Sequence, residues 1–346
     1  MGITAEPWAK CPLKQEIRVS LWEPFVRSLT GGRPLQNYLT LYSPSLMDVK
    51  HFADTGLIEF DGQSQMYKGV VGVTYDDTSF AKAIELGLGR PEVLLPGDIN
   101  KILTQLKNPH HKQLVEKFPF EAINLDYEDS IFSGSKPFPV PEHLEALDKL
   151  FDIQDKKACQ KFCLFFTTRA EQSQFPPKVV SDLEQIIDQN LLISATFNQA
   201  FNQTYSVNTG ADLLNSNYDD FATFGVIKLI VSMLSDRDYE ITNCSVSWLN
   251  RDVKGGGARL LHTAFIIEKS TVQSPTSAAR VRQYGRRKLR SHASHLLLYL
   301  NSRATNGLTV LKESTHQIAM QAKHGNNITR LLSTTYQLEV PGHNGK

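Results

Sequence analysis

The sequence predicts an α/β protein: a doubly wound, mostly parallel seven-stranded sheet that ends in an antiparallel hairpin, with a small helical C-terminal extension. Three observations predict it. From residue 37 onward, short apolar runs alternate with helical patterns in five successive units, the order that a parallel sheet with right-handed helical crossovers requires. Near residue 255, two β-rich stretches flank a triple glycine, and glycine supplies the positive φ that a hairpin loop needs. A hydrophobic content of 41% over 346 residues is enough for a sizeable core.

The elements follow in order. NYLTLY (37–42) reads as the first strand, and SLMDVKHFADTG (45–56) as a helix closed by Gly56. KGVVGVTY (68–75) is the second strand; DTSFAKAIELGLG (77–89) is a helix with Asp77 as N-cap and glycine at its end. EVLLPGD (92–98) makes a third strand, NKILTQLKN a helix, and EAINLDY (121–127) a fourth strand. EHLEALDKLFDI is amphipathic, and QKFCLFFTTR (160–169) reads as a fifth, buried strand. Two long helical stretches (177–203 and 218–235) lead to ITNCSVSWLNRD and RLLHTAFIIEKS, the arms of the hairpin. The first 35 residues, with Trp8, Trp22 and Phe25, are expected to pack on the main domain as an N-terminal arm, with Gly31-Gly32 as the hinge. This divides the chain into an arm (1–35), the sheet domain (36–270) and a basic, mainly helical extension (271–346).

Composition narrows the function. A formal charge of +1 excludes a globally basic nucleic-acid binder or an acidic tail, so a charged partner must be sought in local clusters. Four scattered cysteines, Cys11, Cys159, Cys163 and Cys244, do not make a disulfide framework and point to a reduced, cytoplasmic setting. The N-terminus lacks a signal-peptide core, and the longest apolar runs are too short to span a bilayer, so no membrane role is expected.

The order of parts resembles the class I S-adenosylmethionine-dependent methyltransferase fold over about residues 36 to 270. In that family the second strand ends in an acid that binds the ribose; Thr74 stands there, with Tyr75, Asp76 and Asp77 following. The third strand ends in an acid that contacts the adenine amino group, and VLLPGDINKIL keeps that pattern in Asp98 and Ile99. Asp98 reads equally as a helix N-cap. The family's first strand is followed by a Gly-x-Gly turn, because side chains there would block the amino-acid portion of the cofactor. Here the turn is Tyr42-Ser43-Pro44-Ser45, without glycine. Either the cofactor sits differently or the fold was kept while the cofactor was lost.

The fourth strand ends where the family places the transferable methyl group, and Asp126-Tyr127 occupies that position. An Asp there orients a nucleophile or accepts its proton, and a Tyr stacks on a flat substrate. The plainer reading is a strand-end acid held by backbone amides and a packing tyrosine. Cys159 and Cys163 read as core residues, His110-His111 as a polar loop, and His262 as a strand residue with a local hydrogen bond; no metal site is expected. The remaining signal is RVRQYGRRKLRSHASH: Arg280, Arg282, Arg286, Arg287, Lys288 and Arg290 lie in a stretch free of acids from Lys269 to Glu313. A solvated helix face, a nucleic-acid contact and a protein partner with an acidic surface all explain it.

Two functions are therefore expected. One is a methyltransferase that moves a methyl group from S-adenosylmethionine to nucleic acid; the other is a catalytically inactive subunit of the same fold that binds nucleic acid or a protein partner in a multi-component bacterial system. A nicotinamide dehydrogenase fits less well, since the Gly-x-Gly-x-x-Gly turn and the acid after the second strand are both absent.

Overall fold

The computed structural model describes residues 12–43, 46–75, 80–81, 89–127, 129–132, 142–193, 198–199, 201–202, 205–251 and 258–270. The strands are β1 (Tyr38–Leu41), β2 (Phe60–Asp61), β3 (Met66–Thr74), β4 (Arg90–Pro96), β5 (Ala122–Asp126), β6 (Lys161–Arg169), β7 (Tyr239–Arg251) and β8 (Ala258–Lys269). The described helices are α1 (Pro12–Ile17), α2 (Glu23–Thr30), α3 (Met47–Asp54), α4 (Ile99–Thr104), α5 (His111–Glu116), α6 (Glu142–Lys156), α7 (Pro177–Ile193), α8 (Gly210–Ser216) and α9 (Tyr218–Ser235).

One sheet holds all eight strands. Its main path runs β4-β3-β1-β5-β6-β8-β7, with β1, β3, β4, β5 and β6 parallel to their neighbours. β8 alone on this path is reversed, antiparallel to both β6 and β7. Six parallel strands with a reversed final strand inserted beside the sixth is the class I methyltransferase fold, as the resemblance implies. The chain winds outward from β1 through β3 to β4, then returns across β1 to continue through β5 and β6. The reversal falls between β1 and β5, and in open α/β sheets ligands bind outside the carboxyl ends of the strands at such a point.

Parallel pairing fixes which side chains share a face. Thr40 is in register with Gly72 and Asn124, Asp126 with Thr167, and Thr167 with His262. This face lies under α1 to α3, in a core of Tyr38, Val49, Phe52, Val70, Phe165 and Trp22. The opposite face carries Leu39, Val71, Ile123, Leu125, Leu164 and Phe166 in a larger core shared with α4, α6, α7 and α9. The helices start where side chains supply the missing acceptors: Asp98 caps α4, Thr209 caps α8 and Asn217 caps α9. Asp219 and Asp220 then sit at the positive end of the α9 dipole.

Three elements carry too little periodicity to be read beforehand: the two-residue β2, which makes the sheet eight-stranded, and the short helices α5 and α8. The hairpin forms as expected between β7 and β8, with its loop (252–257) outside the described residues. Most of the expected helix 77–89 and the whole 271–346 extension also lie outside them. Among the described residues no helix is long and apolar enough to cross a membrane.

Candidate functional site

The carboxyl ends of β1, β3, β4 and β5 gather most of the residues singled out in the sequence. Asp76 and the basic residues Arg280, Arg282, Arg286, Arg287, Lys288 and Arg290 lie outside the described residues. At the β3–β4 end, the amide of Gly97 donates to the Thr74 carbonyl at 2.9 Å, closing the two strands together. Gly97 has φ 117, a left-handed turn that lets the chain pass from β4 into α4. Thr74 is fully buried with its hydroxyl 3.5 Å from the Leu95 carbonyl, whereas the next residue, Tyr75, is 79% exposed. Asp98 accepts the Asn100 amide on Oδ1 at 2.9 Å, and Ile99 is buried behind it. A carboxylate held at a helix start and an exposed flat ring thus share one end of adjacent strands.

At the end of β5 the two neighbours part, because consecutive strand residues point to opposite faces. Tyr127 turns toward α4 and α6. Its hydroxyl donates to Asn100 Oδ1 at 3.0 Å, and the Asn100 amide nitrogen donates to His143 Nδ1 at 2.8 Å. The Tyr127 and His143 rings lie 4.3 Å apart. Burial, with the Asp98 charge added, pushes the Tyr127 phenol well above its ordinary range. Burial also lowers His143, against the opposing pull of Asp98, Asp129 and Glu142. Both therefore stay neutral at pH 7, and the cluster links Asp98 to Tyr127 through Asn100.

Asp126 faces the other layer and closes a directed chain of hydrogen bonds. Trp22 Nε1 donates to His262 Nε2 at 2.9 Å. An indole nitrogen can only donate, so His262 Nε2 is unprotonated and its Nδ1 carries the proton. Nδ1 lies 2.9 Å from Thr167 Oγ1, and the Thr167 hydroxyl in turn bonds the Asp126 carboxylate. Lys14 of α1 ion-pairs with the same carboxylate. Burial alone would raise the Asp126 carboxyl; Lys14, His262 and Thr167 together outweigh it and hold the group below its ordinary value. His262 is pushed down to about 4 by burial.

Beside this chain, Asp48 Oδ2 accepts from Tyr38 and Thr40, each at 2.7 Å, and from Asn124 Nδ2 at 3.3 Å. None of Lys14, Asp48, Asn100, Asn124, His143 or Thr167 was a candidate from sequence. Strand register, the packing of α4 against α6 and the fold of the N-terminal run bring them in, and the sequence reads His262 as no more than a strand residue with a local bond.

The sequence profile of the PP_RS20740-like family matches residues 90–335, well over half of the chain. The chain belongs to the PP_RS20740-like family. No curated protein matches it. Among solved structures it is similar to an RNA methyltransferase, by description, from Pyrococcus horikoshii, at 12% identity and a TM-score of 0.36 over 78% of this chain and 92% of that one. It is also similar to M. jannaschii TYW2 in complex with AdoMet, at 9% identity and 0.34 over 76% and 80%. A third is a SAM-dependent methyltransferase from Methanosarcina mazei, at 8% and 0.34 over 71% and 97%. The strand order, not these distant likenesses, carries the fold assignment.

S-adenosylmethionine is the group this fold family implies, and the residues meet it unevenly. At the adenosine end, Asp98 would supply a fixed acceptor and Tyr75 an exposed aromatic face. The amino-acid end departs from the family. Tyr42, where a glycine turn is needed, packs inward with its amide on the Val73 carbonyl at 2.8 Å. A Cβ at Gly72 would meet the Tyr42 ring at 2.9 Å and Leu94 and Pro91 at 3.1 Å each, so the ring packs closely over that glycine. Burial pushes the Tyr42 phenol up to about 12. Of the residues that would hold the group, Asp98 and Tyr75 stand at the ends of β4 and β3, while the chain leaving β1 carries Tyr42 and Ser43 where the family has glycine.

Proposed function

We propose that this chain binds an adenosine-containing ligand at the carboxyl ends of β3 and β4 of a methyltransferase scaffold, S-adenosylmethionine being the ligand the fold points to. The observation that carries the reading is Asp98: its carboxylate is fixed at the head of α4, after β4, and the exposed Tyr75 follows the neighbouring strand β3. A fixed carboxylate accepts the adenine amino group without reorganising, and a tyrosine ring offers any base a face to stack on. The Asn100 bridge to Tyr127 keeps α4 in register with the end of β5, so this seat lies next to the position where an acceptor would approach. The 280–290 basic segment supports nucleic acid as the macromolecular partner, since uncompensated arginines neutralise phosphates.

Calorimetric titration of the full chain with S-adenosylmethionine and S-adenosylhomocysteine tests the reading. Binding that weakens by about tenfold or more in Asp98→Ala is expected; no heat at millimolar ligand would overturn it.

A second reading is favoured by the Lys14–Asp126 pair and by Tyr42. It makes the chain a non-catalytic member of the fold, a subunit that holds nucleic acid or an acidic protein surface. Lack of methyl transfer to DNA or RNA, with nucleic-acid binding retained, separates it from an active enzyme.

A further inference from the structure

We propose that Asp126, Thr167 and His262 form a binding site for a primary ammonium group, that the chain's own Lys14 fills it, and that the run Pro12–Thr30 is a latch over the carboxyl end of β5. The proposal rests on the preceding reading only in placing the acceptor position at that end of the sheet; it requires no adenosine ligand.

The site is built from the framework. Its three side chains come from three neighbouring strands, β5, β6 and β8, held in register. Thr167 and His262 are 2% and 1% exposed. Every donor in the chain from Trp22 to Thr167 points toward Asp126, so the strand side chains orient the carboxylate while its charge is left for a cation to balance. Lys14 is that cation, and it comes from a separate helical run.

The latch has a strong end and a weak end. Trp22 is buried, stacks on Phe165 with centroids 4.9 Å apart and donates to His262. The Lys14 and Asp126 side chains are 22% and 25% exposed, so solvent and a competing amine reach this end of the run, whereas the Trp22 end is closed. Between the two ends, residues Arg18–Trp22 widen into a π-helical turn, a local departure frequent at functional sites.

Arg18 Nε and Asn124 Oδ1 are among the buried polar atoms of this layer that have no hydrogen-bond partner among the described residues. Arg18 is 6% exposed and lies over the Trp22 ring at 6.0 Å; Asn124 is 4% exposed and sits two positions before Asp126 on the same face. Buried groups of this kind ordinarily bond to something, so hydrogen-bonding capacity beyond what the chain uses is present beside Asp126.

The probe is n-butylammonium, followed by hydrogen exchange and calorimetry on the full chain. In Lys14→Met the site is vacated, and n-butylammonium should bind about tenfold more tightly than to the unaltered protein, with the gain lost in Lys14→Met/Asp126→Asn. In the unaltered protein, rising n-butylammonium should speed amide exchange across residues 14–22 several-fold, while sodium chloride at equal ionic strength leaves it unchanged. Equal binding to both proteins, binding that survives the double variant, or exchange indifferent to the amine would each overturn the proposal. The exchange arm needs no variant, so a misfolded Lys14→Met protein does not shelter it.

Discussion

His262 shows how a single residue acquires a role from its neighbours. In sequence it is one polar letter in RLLHTAF; in the fold it is neutral by necessity, because Trp22 donates to its Nε2. Unfolded, a histidine takes up its proton near pH 6.5, while folded His262 does so only near 4. Above pH 6.5 both states are neutral and the shift has no effect on stability. Below it the unfolded chain binds more protons, so stability falls with acidity until about pH 4. The loss from this one group is roughly 3 kcal/mol across that window. Asp126, also held low, acts in the same direction. Replacing His262 by Gln, which can still accept from Trp22 and donate to Thr167, should flatten the acid limb of a denaturant-measured stability profile by about one proton. An unaltered limb would mean that the imidazole is not the group that titrates. Trp22→Phe keeps the stacking on Phe165 but leaves Nε2 without its donor. A loss of about 1–3 kcal/mol is expected at pH 7 from the same urea measurements.

At the scale of elements, strands and long helices were legible because each carries its own period and its own ends. QKFCLFFTTR is buried on both faces and reads as such. The helix after β4 was legible from its cap residue, Asp98. What could not be read was the pairing between elements. Asp126 and Tyr127 looked like a unit because they are adjacent in sequence. Strand alternation sends them to opposite layers, one to Lys14 and the other to Asn100 and His143. Lys14 gave no signal at all, since nothing in PLKQEI says which strand the helix will cross. Helix-on-helix placement gives a further test. The Gly210 amide at the start of α8 donates to Asp188 of α7 at 2.7 Å, and a Cβ at Gly210 would stand 2.9 Å from backbone atoms of Glu184. Gly210→Ala must push α8 off α7, and a destabilisation of about 1–3 kcal/mol is expected from urea unfolding. A neutral result would mean that this contact adapts freely.

At the scale of the molecule, the fold was recoverable because five β–α units and a terminal hairpin leave few alternatives, and right-handed crossovers then settle the winding. The site was recoverable only in part. The part proposed to take adenosine is written in short runs at the ends of β3 and β4, whereas the polar chain that closes on Asp126 draws on residues from 14 to 262. The basic segment makes a prediction of its own: binding to short DNA or RNA should weaken steeply with salt. The slope should drop by several units when Arg286, Arg287, Lys288 and Arg290 become alanine. A slope that does not change would remove that segment from any nucleic-acid role.

The proposed site would hold adenosine through Asp98 and Tyr75, and the chain leaving β1 offers the methionine portion Tyr42 in place of a glycine turn. The pair of dissociation constants for adenosine and for S-adenosylmethionine, measured by calorimetry under one set of conditions, tests this reading most directly. Both should bind, with affinities within about threefold of each other, and both should weaken together in Asp98→Ala. S-adenosylmethionine binding a hundredfold or more tightly than adenosine would show that the amino-acid end is held after all, and binding of neither would contradict the site itself.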